Sequence, residues 1–81
     1  MEEKVITALQ SAFPGIEVDI ETHSDGRIHG HVVWAGFAEL DDVDRQTEIR
    51  SVLEKKLGAD AKRVGILLAY TPDELKAMRA A

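Results

Sequence analysis

The chain has 81 residues, with 10 Lys plus Arg against 15 Asp plus Glu for a formal net charge of −5, and no cysteine. That length fits one domain whose core buries about 60 to 65% of the surface its unfolded chain exposes, which leaves little room for a large active-site cleft. Without thiols the fold has no disulfide, no cysteine ligand and no cysteine nucleophile.

The longest apolar runs fall far short of the roughly 20 residues a membrane span needs, and no basic n-region leading into an apolar h-region opens the sequence. The expectation is a cytoplasmic, soluble domain with no membrane partner. The charge is unevenly spread: up to Asp44 there are 2 basic and 10 acidic residues, net −8, whereas from Arg45 onward 8 basic and 5 acidic residues give net +3. Net acidity alone disfavours nucleic acid, because phosphate binding draws on Lys and Arg. The basic second half keeps that partner in view.

Val5, Ile6, Leu9, Ala12 and Phe13 recur at helical spacing from about Glu2 to Phe13, and Pro14-Gly15 ends the pattern. From Ile16 to Thr22, Ile16, Val18 and Ile20 alternate with Glu17, Asp19 and Glu21, the period of a half-buried strand. A second strand, about Arg27 to Ala35, carries Ile28, Gly30, Val32 and Trp34 on one side and His29, His31 and Val33 on the other.

The turn between them fixes the register, since a slip of one residue moves a whole strand face between core and solvent. A two-residue Asp25-Gly26 turn would set Ile20 opposite His31 and mix the faces. A three-residue loop, Ser24 to Gly26, with Gly26 in the left-handed position of a type I turn plus bulge, sets Ile16, Val18 and Ile20 opposite Trp34, Val32 and Gly30. The outer face then pairs Asp19 with His31 and Glu21 with His29.

Asp41 or Asp42 caps a helix running to about Leu57 and ending at Gly58, with Ile49, Val52, Leu53 and Leu57 inward. In the following run Val64, Ile66, Leu68 and Tyr70 alternate with Gly65, Leu67 and Ala69, so neither face is strongly polar and a central strand is expected. Thr71 caps a last helix, with Pro72 at its first position and Glu74 completing a capping box. Leu75 and Met78 are expected to face inward. The fold class is α+β, in the order α-β-β-α-β-α, with a three-stranded mixed sheet and helices on one face. One domain spans residues 1–81.

His29, His31, Asp19 and Glu21 share the outer face and have the chemistry to approach a metal, although opposite charges across two strands favour the same arrangement without one. No serine lies in a nucleophile elbow, and no glycine-rich phosphate loop or dinucleotide fingerprint is present. The reading is a non-enzyme. The element order is that of KH-like folds, whose nucleic-acid modules clamp single strands with a Gly-x-x-Gly loop. The chain lacks that loop, so the nucleic-acid alternative rests on a basic stripe of Arg45, Arg50, Lys55, Lys56, Lys62 and Arg63.

Phe37 followed by Arg45, then a long helix with Leu53, then an apolar strand ending in Ala69-Tyr70-Thr71-Pro72-Asp73-Glu74, resembles the BolA family, and the likeness runs over nearly the whole chain. The resemblance implies a class II KH-like fold and an adaptor that pairs with a monothiol glutaredoxin or another iron-sulfur protein, sharing a 2Fe-2S cluster or assisting its transfer. Some members are described as DNA-binding transcriptional regulators linked to stress response. It places His23, Arg63, Tyr70, Thr71 and Glu74 near the partner contact.

The family's cluster-ligating histidine stands seven positions before the tyrosine, where this chain has Arg63, a guanidinium that donates only and cannot ligate iron. The second ligand comes from the loop between the first two strands, where His23 is available as a metal ligand. Two further departures are Glu39 in place of a glycine and Trp34 in place of a serine. A divergent protein-interaction domain with neither cluster nor nucleic acid is the third reading.

Overall fold

The computed structural model of the chain describes residues 1–80. In order it contains α1 (Glu2–Ala12), β1 (Glu17–Thr22), β2 (Ile28–Val33), α2 (Asp42–Leu57), β3 (Val64–Tyr70) and α3 (Pro72–Ala80), with short 3-10 turns at Ala35–Glu39 and Gly58–Arg63. The fold is α+β, as the order of sequence patterns requires. The β1–β2 pair is antiparallel and the β2–β3 pair parallel.

The hairpin register matches the one deduced from face separation: Val18 lies opposite Val32, Asp19 opposite His31, Ile20 opposite Gly30 and Glu21 opposite His29. The loop is the three-residue one. Gly26 N–H donates to the His23 carbonyl, His23 N–H donates to the Arg27 carbonyl, and Gly26 sits at φ +84°, a conformation that side-chain-bearing residues rarely adopt. The strands are shorter than their sequence patterns: Ile16, Trp34 and Ala35 lie outside them. The backbone turns at Trp34 into the first 3-10 segment, which carries Phe37 into the core with no exposed surface.

The core lies between the sheet and the layer of α1 and α2. Val5 and Leu9 of α1, Ile28 and Val32 of β2, Leu53 of α2 and Phe37 are fully buried, each burial contributing about 1.5 to 3 kcal/mol relative to exposure for side chains of this size. Val18, Ile20 and Trp34 pack on this cluster from the same side. Phe13, Trp34 and Phe37 form a tilted and edge-on aromatic triad with centroids 5.1 to 5.8 Å apart, and the Trp34 indole N–H donates to the Pro14 carbonyl at 2.8 Å. The end of α1 is thereby tied to the end of β2.

Helix caps follow the sequence signals. Asp41 accepts the Asp44 amide, and the Thr71 hydroxyl accepts the Glu74 amide while Glu74 accepts the Thr71 amide, a complete capping box.

Three expectations are corrected. First, β3 is an edge strand, because the strand order is β1-β2-β3. Its free edge is capped by side chains of α2 that donate to strand carbonyls. Second, the simple alternation along β3 fails. Ile28 pairs with Val64 and Gly30 with Leu67, so β3 carries one extra residue across that interval, and this bulge turns Val64, Leu67 and Ala69 inward while Ile66 and Leu68 face out. Third, α3 does not join the α1/α2 layer. It contributes no buried residue, Met78 is 54% exposed, and Leu75 and Met78 border the opposite face of the sheet.

Candidate functional site

The outer face of β2 and β3 is where the bulge and α3 meet. Ile66, Leu68 and Tyr70 of β3, His29 and His31 of β2, and Leu75, Met78 and Arg79 of α3 line an open groove of about 770 Å³, closed at the hairpin end by Glu21 and His23. Ile66 is 66% exposed and Leu68 49%. Large aliphatic side chains beside one another on an open face, with polar groups around them, mark a surface suited to a partner.

The histidines are held in different ways. His29 Nδ1 accepts the Ile66 backbone N–H at 3.0 Å, taking up the amide that the bulge removes from the strand ladder. The imidazole therefore carries its proton on Nε2. Gly65 makes room for the ring, since a β-carbon there would overlap its Cε1 atom. His23 stacks obliquely on His29 with centroids 4.5 Å apart, and its Nε2 lies 3.3 Å from Glu21 Oε1. His31 lies 3.9 Å from Asp19 Oδ2 and faces the Tyr70 ring at 6.1 Å. The cross-strand pair Asp19–His31 thus forms, whereas the Glu21 carboxylate turns to His23. Among the described residues, no three His, Asp or Glu side chains converge as a metal-binding group.

A second cluster sits at the start of α3. Arg45, 8% exposed, sends its Nε to the carbonyls of Phe37 and Leu40 at 3.1 and 3.0 Å. Its Nη1 donates to the Ala69 carbonyl at 3.1 Å and to Glu74 Oε1 at 2.7 Å, and Nη2 donates to Glu74 Oε2 at 3.0 Å. The guanidinium also lies 5.8 Å from the Phe37 ring centroid. Hydrogen bonding from Arg45, reinforced by the Thr71 amide, lowers the Glu74 carboxyl to a pKa of about 2, and the carboxylate in turn raises Arg45. Four residues, from the first 3-10 turn and its cap, β3 and α3, are held by a single side chain.

The residues singled out from the sequence separate into groups. His23 and Tyr70 share the groove. Thr71 is buried in the capping box, and Glu74 is committed to Arg45 and Thr71. Arg63 is exposed at the head of β3, next to the hairpin end of the sheet through the Ile28–Val64 pair, and lies outside the groove lining.

The basic stripe is corrected. Arg45 points inward, and Arg50 donates to the carbonyls of Ala61 and Val64 at 2.9 and 3.2 Å. Lys55, Lys56, Lys62 and Arg63 are the exposed cations that remain of it.

Sequence reasoning missed Ile66, Leu68, Leu75 and Met78 as groove residues because all four read as core. The signal available was Gly65 within a strand pattern, which marks a bulge or a close approach. No helix among the described residues is long and apolar enough to cross a membrane. No protein-family model matches the chain, and no curated protein matches it.

Proposed function

We propose that the protein is a non-enzymatic, cytoplasmic adaptor of BolA-like type that docks a partner protein in the groove between β3, the histidine face of the sheet and α3. The observation that supports the reading best is the exposed row of Ile66, Leu68 and Met78 beside His23 and Tyr70. Side chains of this kind on β3 and α3 give a partner an apolar centre, with His23, Glu21 and Arg79 as a polar rim. The class of partner, a monothiol glutaredoxin or another iron-sulfur protein, comes from the resemblance described above.

Docking need not include ligation. His23 is exposed and its Nδ1 or Nε2 can serve a metal once it leaves Glu21, but Arg63 supplies no lone pair. The proposed role is therefore to hold a partner that carries its own 2Fe-2S cluster, with His23 the ligand that the resemblance assigns to this chain.

Mixing the protein with a cluster-loaded monothiol glutaredoxin tests this. Complex formation by gel filtration with an unchanged visible spectrum is expected. Leu68→Asp, at a half-exposed strand position where the cost to folding is about 1 kcal/mol, is expected to abolish the complex. Equal binding by Leu68→Asp and the parent chain refutes groove docking, and a shifted cluster spectrum that survives His23→Ala refutes the assigned ligand.

A further inference from the structure

The two edges of the sheet are finished differently. At β3 three α2 side chains donate to strand carbonyls: Arg50 to Val64, Gln46 to Leu67 at 2.7 Å, and Arg45 to Ala69. Such caps occupy the acceptors that an incoming strand would use. At β1, among the described residues, the one side-chain hydrogen bond to another element is donated by the Thr22 hydroxyl to the Glu2 carboxylate, and the main chain receives none from a side chain of another element.

Because His23 N–H donates to Arg27 across the hairpin, antiparallel alternation assigns Glu21, Asp19 and Glu17 to the β2 ladder. The N–H and C=O groups of Val18, Ile20 and Thr22 then face the free edge.

We infer that the free edge of β1 is a strand-addition site for an extended peptide in which Lys or Arg alternates with apolar residues. Main-chain pairing supplies affinity in this mode, and the alternating side chains supply selectivity. Glu17, Asp19 and Glu21 stand on one face of β1, all exposed, at spacings of about 6.8 Å. An added strand places every second side chain beside this row, where cations are favoured and anions repelled. Its other side chains fall beside Val18 and Ile20, which are half-buried at the margin of the core and gain cover from apolar neighbours. A second copy of the chain is a poor occupant, because pairing β1 with β1 brings two rows of three carboxylates together. The inference shares Glu21 with the groove rim and otherwise uses a different margin of the sheet.

The test titrates the ¹⁵N-labelled chain with a short peptide of alternating lysine and valine. It is compared with the same peptide N-methylated at every second residue, which keeps its charge and loses half its donors. Expected are amide shifts and slowed exchange at Val18, Ile20 and Thr22, binding weakened about tenfold or more by N-methylation, and no binding after Glu17→Lys, Asp19→Lys and Glu21→Lys are combined. Equal affinity for the N-methylated peptide, or shifts spread evenly to the carboxylates at Asp41, Asp42 and Asp44, reduces the effect to charge attraction and overturns the inference. So does sedimentation showing self-association that the triple change abolishes.

Discussion

Arg45 and Glu74, on different helices and 29 residues apart, form a two-pronged ion pair in which Nη1 meets Oε1 at 2.7 Å and Nη2 meets Oε2 at 3.0 Å. The same guanidinium bonds the carbonyls of Phe37, Leu40 and Ala69. Replacing it leaves buried acceptors without donors. Arg45→Met is expected to cost about 3 kcal/mol, since hydrogen bonds from a charged donor are worth about 1.5 to 3 each and part of the loss relaxes. Arg45→Lys should recover little, because an ammonium cannot reproduce the planar fork. The urea midpoint should fall with an unchanged slope; a midpoint like the parent's would show that the cluster contributes nothing.

The pair also sets an acid limit. Glu74 is held at about 2 by Arg45 and the Thr71 amide, below the roughly 4.3 of an unfolded glutamate. The stabilisation is fully present above the unfolded value and is lost as pH falls through the window toward about 2, where the folded state also binds the proton. The carboxylate is 46% exposed, so solvent and salt reduce the effect. The stability difference between the parent and Glu74→Gln, measured by urea unfolding, should be largest near neutrality and close to zero near pH 2. A difference that stays constant across that range contradicts the assignment.

Gly30 is the point of closest approach in the hairpin. A β-carbon on it would overlap the Asp19 carbonyl oxygen and come within 2.7 Å of Ile20 Cα, both of them backbone that no rotamer change can move. Gly30→Ala is expected to destabilise by about 2 kcal/mol or more and to speed amide exchange in β1. A neutral result would mean that the two strands separate more readily than their pairing implies.

His29 supplies the acceptor for the bulge. Long-range ¹⁵N correlation spectra should show its Nε2-protonated tautomer, and His29→Phe should cost about 0.5 to 1 kcal/mol by removing this exposed hydrogen bond, with faster exchange at the Ile66 amide. The Nδ1-protonated tautomer would contradict the contact.

Much of the fold was readable from residue order, and the reasons are local. Alternation in Ile16 to Thr22 and the Ser24-Asp25-Gly26 loop were enough to fix the Asp19–His31 and Glu21–His29 register. Asp41, Thr71, Pro72 and Glu74 marked helix starts by the chemistry of caps. What was not readable depended on distant partners. An edge strand with two apolar faces looks like a central one until Gln46, Arg45 and Arg50 are seen to cover its margin. The bulge depends on a histidine 37 residues away, and Leu75 and Met78 have helical spacing that suits either a core or a groove. Cations in α2 looked alike in sequence, but reach to particular carbonyls separates Arg45 and Arg50 from Lys55 and Lys56.

The central claim is that the histidine-bearing face of the sheet, with α3 as its wall, is the docking surface. Residue-by-residue amide shifts on adding a cluster-loaded monothiol glutaredoxin address it directly. Perturbations gathered at His23, Ile66, Leu68, Tyr70 and Met78 are expected; shifts centred instead on Lys55, Lys56, Lys62 and Arg63, or none at saturating partner, would contradict it.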